Sequence, residues 1–507
     1  MKFSFFLLFV FYAVSWLQAQ EEKKIEILNA NTIEYNKHIA NGAQRLLGDV
    51  RFMHNQVVMY CDSAYYYPEN DSLHAFGHIH ISQGDTLHLY GEFLRYDGNS
   101  SLAQVRKNVK LIDRETTLTT DNMDYDIRNK VGYYFKGGEI INGENKLKSE
   151  QGYYYSTMKI FHFKGKVFCT NARDTILSDT LQYNTVSRVA YFFGPSHIYT
   201  QGSYLYCEDG WYNTAKDLSR FSKNAFLRSK SRTLSGDTLY YDGGKGKGKA
   251  LRHVMIRDSV QKVILKGHFG YYLRDTEYSF ITDSALMIQY SEKDSLYLHA
   301  DTIISTLDSA GKKMLKAYHH VCFYRNDLQG RCDSAVYTER DSTLRLFRIP
   351  VLWSDVHQLT GEYIELLMKN GQMYEARLYN FPMIISEEDS LKYNQVKGKQ
   401  MIGYFRNNQL YKILVKGNGQ TLYYPEDKGE VIGLNKTDCS DLLIHIDSSK
   451  ITRIDFLTRP EATLFPLNQL PEERFLKGFV WYKQWRPLSL YDIFIPRNLN
   501  AKKEEKE

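Results

Sequence analysis

LTTDNMDYD, residues 118–126, decides the fold, because an acid followed four residues later by tyrosine returns along the chain at a fixed interval. LKSEQGYYY (147–155), LSDTLQYN (177–184) and LSGDTLYYD (234–242) restate it. The closing tyrosines Tyr96, Tyr125, Tyr154, Tyr183, Tyr212 and Tyr241 stand 29 residues apart, and Glu92, Asp121, Glu150, Asp179, Glu208 and Asp237 keep step with them. Asp62–Tyr66 and Asp333–Tyr337 flank this block, and Asn31–Tyr35 is a weaker first copy. His268–Tyr272 keeps the spacing with the acid lost, while Asp283 and Glu362 keep an acid without the tyrosine. Between Ile25 and about Ile385 the chain holds about eleven or twelve copies, and a period of this size marks a tandem array.

Each copy has two halves. The first alternates apolar residues in steps of two, as in Val50 and Phe52, Ile79 and Ile81, or Val109 and Leu111, which puts each pair on one face of a strand. The second half is the motif, also strand-like, and GGE, NARD, GPS and GGKGKGK supply turns between them. Two strands and two turns consume 29 residues. A lone hairpin is marginal in water, so the copies must join their apolar faces. The expected fold is all-β: an elongated array of two-strand repeats, closed on itself as a jelly-roll or coiled as a solenoid. A file of buried carboxylates would repel itself, so the acids are expected on the solvent side of a turn or strand, bonded to backbone.

Composition agrees. Of 507 residues, 43% are hydrophobic and 40 are tyrosine against 10 proline, which suits pleated, half-buried surfaces. The net charge of +6 is interspersed and forms no basic stripe, so nucleic acid is not an expected partner. MKFSFFLLFVFYAVSWLQAQ opens the chain as an export signal, cut near Ala19, and no later apolar run is long enough to span a membrane. Of six cysteines, Cys61, Cys207 and Cys332 fall just before a motif acid, and most are expected to be small buried hydrophobes rather than disulfide partners or metal ligands.

The tandem doublet behind an export signal resembles the OstA-like family of periplasmic lipopolysaccharide-transport proteins, related to the bridge component LptA and to the N-terminal domain of the outer-membrane translocon. LTTDNMDYD, LSDTLQYN and LSGDTLYYD carry the match, and AYHHVCFY followed by CDSAVY repeats it late in the chain. The resemblance covers residues 25–385; the bridge component is much shorter than this chain. It implies a folded, U-shaped jelly-roll whose apolar groove carries lipid acyl chains, no catalysis and no cofactor, and edge-strand addition to other jelly-roll transport proteins. The groove-lining positions implied are Val50, Phe52, Ile79, Ile81, Val109, Leu111, Val167, Val254, Ile256, Val321 and Phe323. The expected role is a periplasmic carrier or bridge taking lipopolysaccharide, or another acylated lipid, to the outer membrane. The competing readings are a β-solenoid that binds or processes polysaccharide, and an outer-membrane barrel, whose outward apolar band the interrupted strands do not supply.

Other segments read plainly. His78, His80 and His88 are expected on the solvent face, with no third ligand type at metal spacing. GGKGKGK (243–249) lacks the frame of a nucleotide loop and is expected to be a turn, with a grip on lipid phosphates the lesser reading. No ordered Ser/His/Asp signature is present. The expected organisation is a signal at 1–19, the array at 25–385, a smaller β-rich capping or docking module at 386–490 and a charged tail at 491–507. PEERFLKGF (471–479) is expected to be a short helix.

Overall fold

The computed structural model describes residues 24–35, 42–200, 202–290, 294–369, 372–407, 409–447 and 450–496. The expected export signal and the last part of the expected tail lie outside them. The chain forms two compact units, Met1–Arg188 and Val189–Glu507. Both are all-β, strand following strand in antiparallel order, with 71% of residues in strands.

In the first unit the long strands run from Gln44–His54 through Val57–Tyr67, Ser72–Gln83, Leu87–Asp97, Leu102–Asp113, Thr116–Asp126, Val131–Asn142, Asn145–Tyr155 and Ile160–Thr170 to Asp174–Asn184. Every long pairing shifts register at its middle. There each strand turns a corner, so that its two halves belong to two limbs facing each other. Phe52 of one limb meets Tyr66 of the other at 6.2 Å between ring centroids, although neither is the other's partner in the sheet.

The corner explains the repeat. In Val57–Tyr67 the inward residues are Val57, Met59 and Cys61, then Ala64 and Tyr66. The step of three lets both limbs turn one face inward and leaves Asp62, the motif acid, outside. In the next strand the corner is a pair in the left-handed region, Gly77 and His78, and His78 Nδ1 lies 2.8 Å from Asp62 Oδ2. The arrangement recurs with Glu150 and Lys166 at 2.8 Å, Glu208 and Asn224 at 2.9 Å, Asp237 and His253 at 3.1 Å, and Glu362 and Asn380 at 3.0 Å. Several acids also donate their own N–H to a corner carbonyl of that strand, Glu208 to Lys223 O at 3.1 Å and Asp237 to Arg252 O at 3.0 Å. The acids are thus on the solvent side, but the side chains they clamp belong to the next corner rather than to backbone alone. The residue before the acid sits inside the corner and is small: Cys61, Gly91, Thr120, Ser149, Ser178, Cys207, Gly236, Gly267 and Cys332. A β-carbon on Gly91 would lie 2.4 Å from Val105 Cγ1. All six thiols are free.

Two expectations from the sequence are corrected. Asp283 is not the acid of a copy: with Ser284 it forms a left-handed corner pair, while His268 holds the acid's slot in the strand before. The two residue types have exchanged places, which hid the register. The next true slot is Asp301, 3.0 Å from His320 Nδ1; four residues on stands Ser305, not tyrosine. The expected helix at 471–479 does not form; the described segment 471–496 has only short 3-10 turns, Lys483–Trp485 and Leu490–Phe494.

In the second unit the same folded ladder runs from Val189–Thr200 to Gly433–Asp447, with a corner at Gly417 and Asn418. Strand order does not break at residue 385: Gln372–Tyr379 pairs with Gln400–Arg406, and Met383–Glu387 with Tyr393–Lys397. From Leu467 to Pro496 the chain leaves the ladder and lies as a strap across the outer face of one limb. Three glutamines anchor it. Gln395 accepts from Leu476 N at 2.8 Å, Gln358 donates to Val480 O at 2.8 Å and accepts from Tyr482 N at 2.7 Å, and Gln329 accepts from Arg486 Nε at 2.9 Å. Arg331 adds donations to Trp485 O, Asp492 O and Ile495 O. Strands beneath the strap are consequently buried on both faces, as in Val351–Ser354 and Met383–Glu387. Leu476 joins a core with Met383, Ile385, Leu422, Tyr424 and Leu434, against which Phe479 and Trp481 pack.

Candidate functional interior

The candidate site is the space between the two limbs. The eleven positions expected to line a groove alternate with outward residues on its strands. Ten are buried, from Val50 and Phe52 to Val321 and Phe323, and Ile256 is half-buried. The interior is apolar in both units but is not equally buried.

In the first unit the free rim of one limb carries Tyr66, Leu73, Tyr96, Ala103, Tyr125, Gly132, Tyr154, Phe161 and Tyr183, each the partner of the next and all buried. The motif tyrosines reach across to the rim of the other limb. The Tyr96 hydroxyl is 2.5 Å from His54 Nδ1, Tyr125 donates to Gln83 Oε1 at 2.7 Å, and Tyr154 donates to Asp113 Oδ2 at 2.6 Å. Lys159 completes the last clasp, its Nζ 2.5 Å from the fully buried Asp113 carboxylate. Burial pushes the Tyr125 hydroxyl up to about 12, so these phenols stay protonated donors. The seam opposite the corners is therefore closed, and the protein's own rings fill the space behind it.

In the second unit the same rim reads Gly248, Tyr272, Ser279, Ser305, Leu315 and Tyr337, and none of the six is buried. Tyr272 is 36% exposed, where Tyr96 and Tyr125 in the same slot are 0%. On the facing limb Ile256, Leu265 and Met287 are half-buried, whereas Phe52, Met59, Ile81 and Leu89 in the same row of the first unit are buried. The inner row of the first limb reads Ala250, Gly270, Ile281, Ile303, Ala317 and Ala335. Over strands Lys247–Asp258, Val263–Leu273 and Tyr278–Gln289 the rim and the row facing it are therefore less buried than in the first unit, although Tyr241, Tyr272 and Tyr337 keep the motif tyrosine. The seam here is charged: Arg232 Nε bonds Asp258 Oδ2 at 3.0 Å, and Arg274 Nη1 donates to Tyr241 OH at 3.2 Å. The alternation that places residues inside was legible in the sequence. The lower burial of the second unit was not, because it depends on how residues of the two limbs meet across the interior.

Outside the interior the candidates resolve as structure. His78 is a corner residue, and Asp62 holds its imidazole above the ordinary value through their hydrogen bond. His80 Nε2 lies 3.1 Å from His88 Nδ1, and the His80 ring is stacked between Tyr60 at 5.3 Å and Tyr90 at 4.6 Å. Among the described residues no three His, Cys, Asp or Glu side chains are placed to hold a metal ion. GGKGKGK is divided, a turn to Gly246 followed by a strand from Lys247. Among the described residues no helix is long and apolar enough to cross a membrane.

Comparison with known proteins bears on the first unit most. The family described as OstA-like protein matches residues 22–179 and again 159–237. No curated protein matches the chain. Among solved structures, LptH of Pseudomonas aeruginosa, described as the LptA homologous periplasmic component of the lipopolysaccharide transport device, is 14% identical, with 21% of this chain and 81% of that one covered. Its TM-score of 0.20 is too low to carry an argument. The repeat and the folded sheet agree with that match: across residues 22–237 the chain is similar to the OstA-like family.

Proposed function

We propose that the protein is a periplasmic carrier or bridge of the lipopolysaccharide-transport type, sheltering the acyl chains of a lipid between the limbs of its folded sheet. The observation that carries this reading is the inner face itself, apolar along successive strands and less deeply buried in the second unit. Exposing one CH₂ to water costs about 0.8 kcal/mol, so a 12-carbon chain costs roughly 10 kcal/mol and must be shielded across an aqueous space. Near-equivalent apolar positions let a chain slide without leaving the shielded phase, and no catalytic group is needed. Open edges suit strand addition to other jelly-roll proteins: Ile33 and Tyr35 of Thr32–Tyr35 are exposed beside the first long strand.

A photo-crosslinking residue placed in cells at Val109, Val167, Val321 or Met287, all inward, is expected to yield lipopolysaccharide adducts. The outward neighbours Thr119 and Leu286 are expected to yield none. Adducts from none of the inward sites, or equal adducts from both faces, would overturn the reading.

A further inference from the structure

On the outer face of the first unit two imidazoles meet across a hairpin. His80 lies on Ser72–Gln83 and His88 on Leu87–Asp97, joined by the turn 84–86. His80 alternates with the buried Ile79 and Ile81 and so points away from the interior. His88 stands opposite Ser82, two residues along from His80 and on the same face. His80 Nε2 and His88 Nδ1 are 3.1 Å apart, with their ring planes inclined at 35°. The His80 ring is held from both sides. Tyr60 on the strand before and Tyr90 on the strand after stack on it at interplanar angles of 16° and 6°. Arg51 in turn lies over the Tyr60 ring, its charge paired with Asp49 at 2.8 Å. All four rings are half-buried, so the pair borders solvent.

Two imidazole nitrogens this close either share a proton, as N–H···N, or share a cation. First-row metal ions take imidazole nitrogen at about 2.0–2.1 Å, so two nitrogens at neighbouring positions of one ion stand about 3 Å apart. The separation of His80 and His88 matches that distance, and the stacked tyrosines fix one ring beforehand, which lowers the entropy lost on binding. We infer that His80 Nε2 and His88 Nδ1 together chelate a divalent transition-metal ion on the outer face of the first unit. Imidazole ligands favour copper(II), then nickel(II) and zinc(II), over magnesium and calcium, which take oxygen. Among the described residues no third His, Cys, Asp or Glu joins them, so water fills the other positions. Lys110, exposed opposite Tyr90, sets a like charge nearby. Both features make this an exchangeable site of modest affinity, a clip across one hairpin. It lies outside the apolar interior and stands independently of the carrier reading.

The test uses the full-length purified protein, stripped of metal and titrated at pH 7.5 with copper(II), nickel(II) or zinc(II) alone. Wild-type protein is expected to bind copper(II) most tightly. His80→Gln and His88→Gln are each expected to weaken that binding by about tenfold or more, while the control His74→Gln, away from the pair, changes it by less than about twofold. Electron paramagnetic resonance of the wild-type copper complex is expected to show coupling to two imidazole nitrogens, a readout that needs no variant to fold. Copper affinity unchanged in both glutamine variants would overturn the inference and leave the pair as a hydrogen bond. Loss in one variant alone, or a wild-type spectrum without two coupled nitrogens, would overturn the chelate.

Discussion

At the scale of single residues, the repeat is a recipe for turning a corner. The slot before the acid admits only a small side chain because the two limbs converge there. Cys207 is fully buried in that slot, and burial pushes its thiol up to about 12, so it serves as volume and not as a nucleophile. Cys207→Ser, the residue found at Ser149 and Ser178, is expected to cost less than about 1 kcal/mol, and Cys207→Leu about 1–3 kcal/mol by overpacking. Urea midpoints at constant slope check both. Gly77 has a different constraint: its φ is +75°, and an added β-carbon would lie 2.2 Å from Asp62 Oδ2. Gly77→Ala is expected to cost more than about 1 kcal/mol, whereas Asp62→Asn, at an exposed pair, should cost under about 1 kcal/mol. Thermal unfolding of the two variants side by side tests that order. The sequence displayed the acid, the tyrosine and the phase of the cysteines, yet not their purpose. Left-handed residues such as His78 or Lys107 carry no chemical signature, and the exchange of His268 with Asp283 disguised one corner altogether.

At the scale of elements, the seam and the strap are what the repeat does not spell out. Tyr125 and Gln83 are 42 residues apart, a separation that means nothing until the limbs are folded onto each other. Tyr125→Phe removes one hydroxyl and leaves the Gln83 carbonyl buried; a loss of about 1 kcal/mol is expected, with faster amide exchange along the rim Tyr96 to Tyr154 as the local sign of opening. The strap was harder still, because 471–496 has neither period nor hydrophobic beat, and its anchors Gln329 and Gln358 look like ordinary strand residues. Gln358 is wholly buried and satisfies two strap backbone groups. Gln358→Leu is expected to cost about 2–4 kcal/mol by orphaning both, and to expose the 467–496 segment to limited proteolysis before the ladder unfolds. Beneath the strap, His357 is buried with Nδ1 2.6 Å from Ser386 Oγ, and desolvation depresses its imidazole to about 4. A histidine lowered in the folded state is protonated first in the unfolded chain. The share of stability due to His357 is therefore constant above about pH 6.5 and is lost between there and about pH 4, a few kcal/mol in all. His357→Asn should flatten that part of the pH profile of the unfolding midpoint.

At the scale of the molecule, the all-β tandem architecture followed from the 29-residue beat and the alternation of two, since no other arrangement buries so many one-sided strands. The alternation of two also shows in the burial, ten of the eleven positions from Val50 to Phe323 being buried. How deeply the interior is buried did not follow, because residues of the same type in equivalent slots differ, Tyr96 being 0% and Tyr272 36% exposed. The same periodic sequence thus makes a clasped rim in the first unit and a less buried one in the second. The account rests on that interior receiving acyl chains. Native mass spectrometry of the full-length protein, released gently from the cell envelope, tests this most directly. A population heavier by the mass of an acylated lipid, lost when Leu265 and Met287 are both replaced by Trp to plug the interior, is the predicted result. Protein that is folded yet carries no lipid at all, with or without the plug, would contradict it.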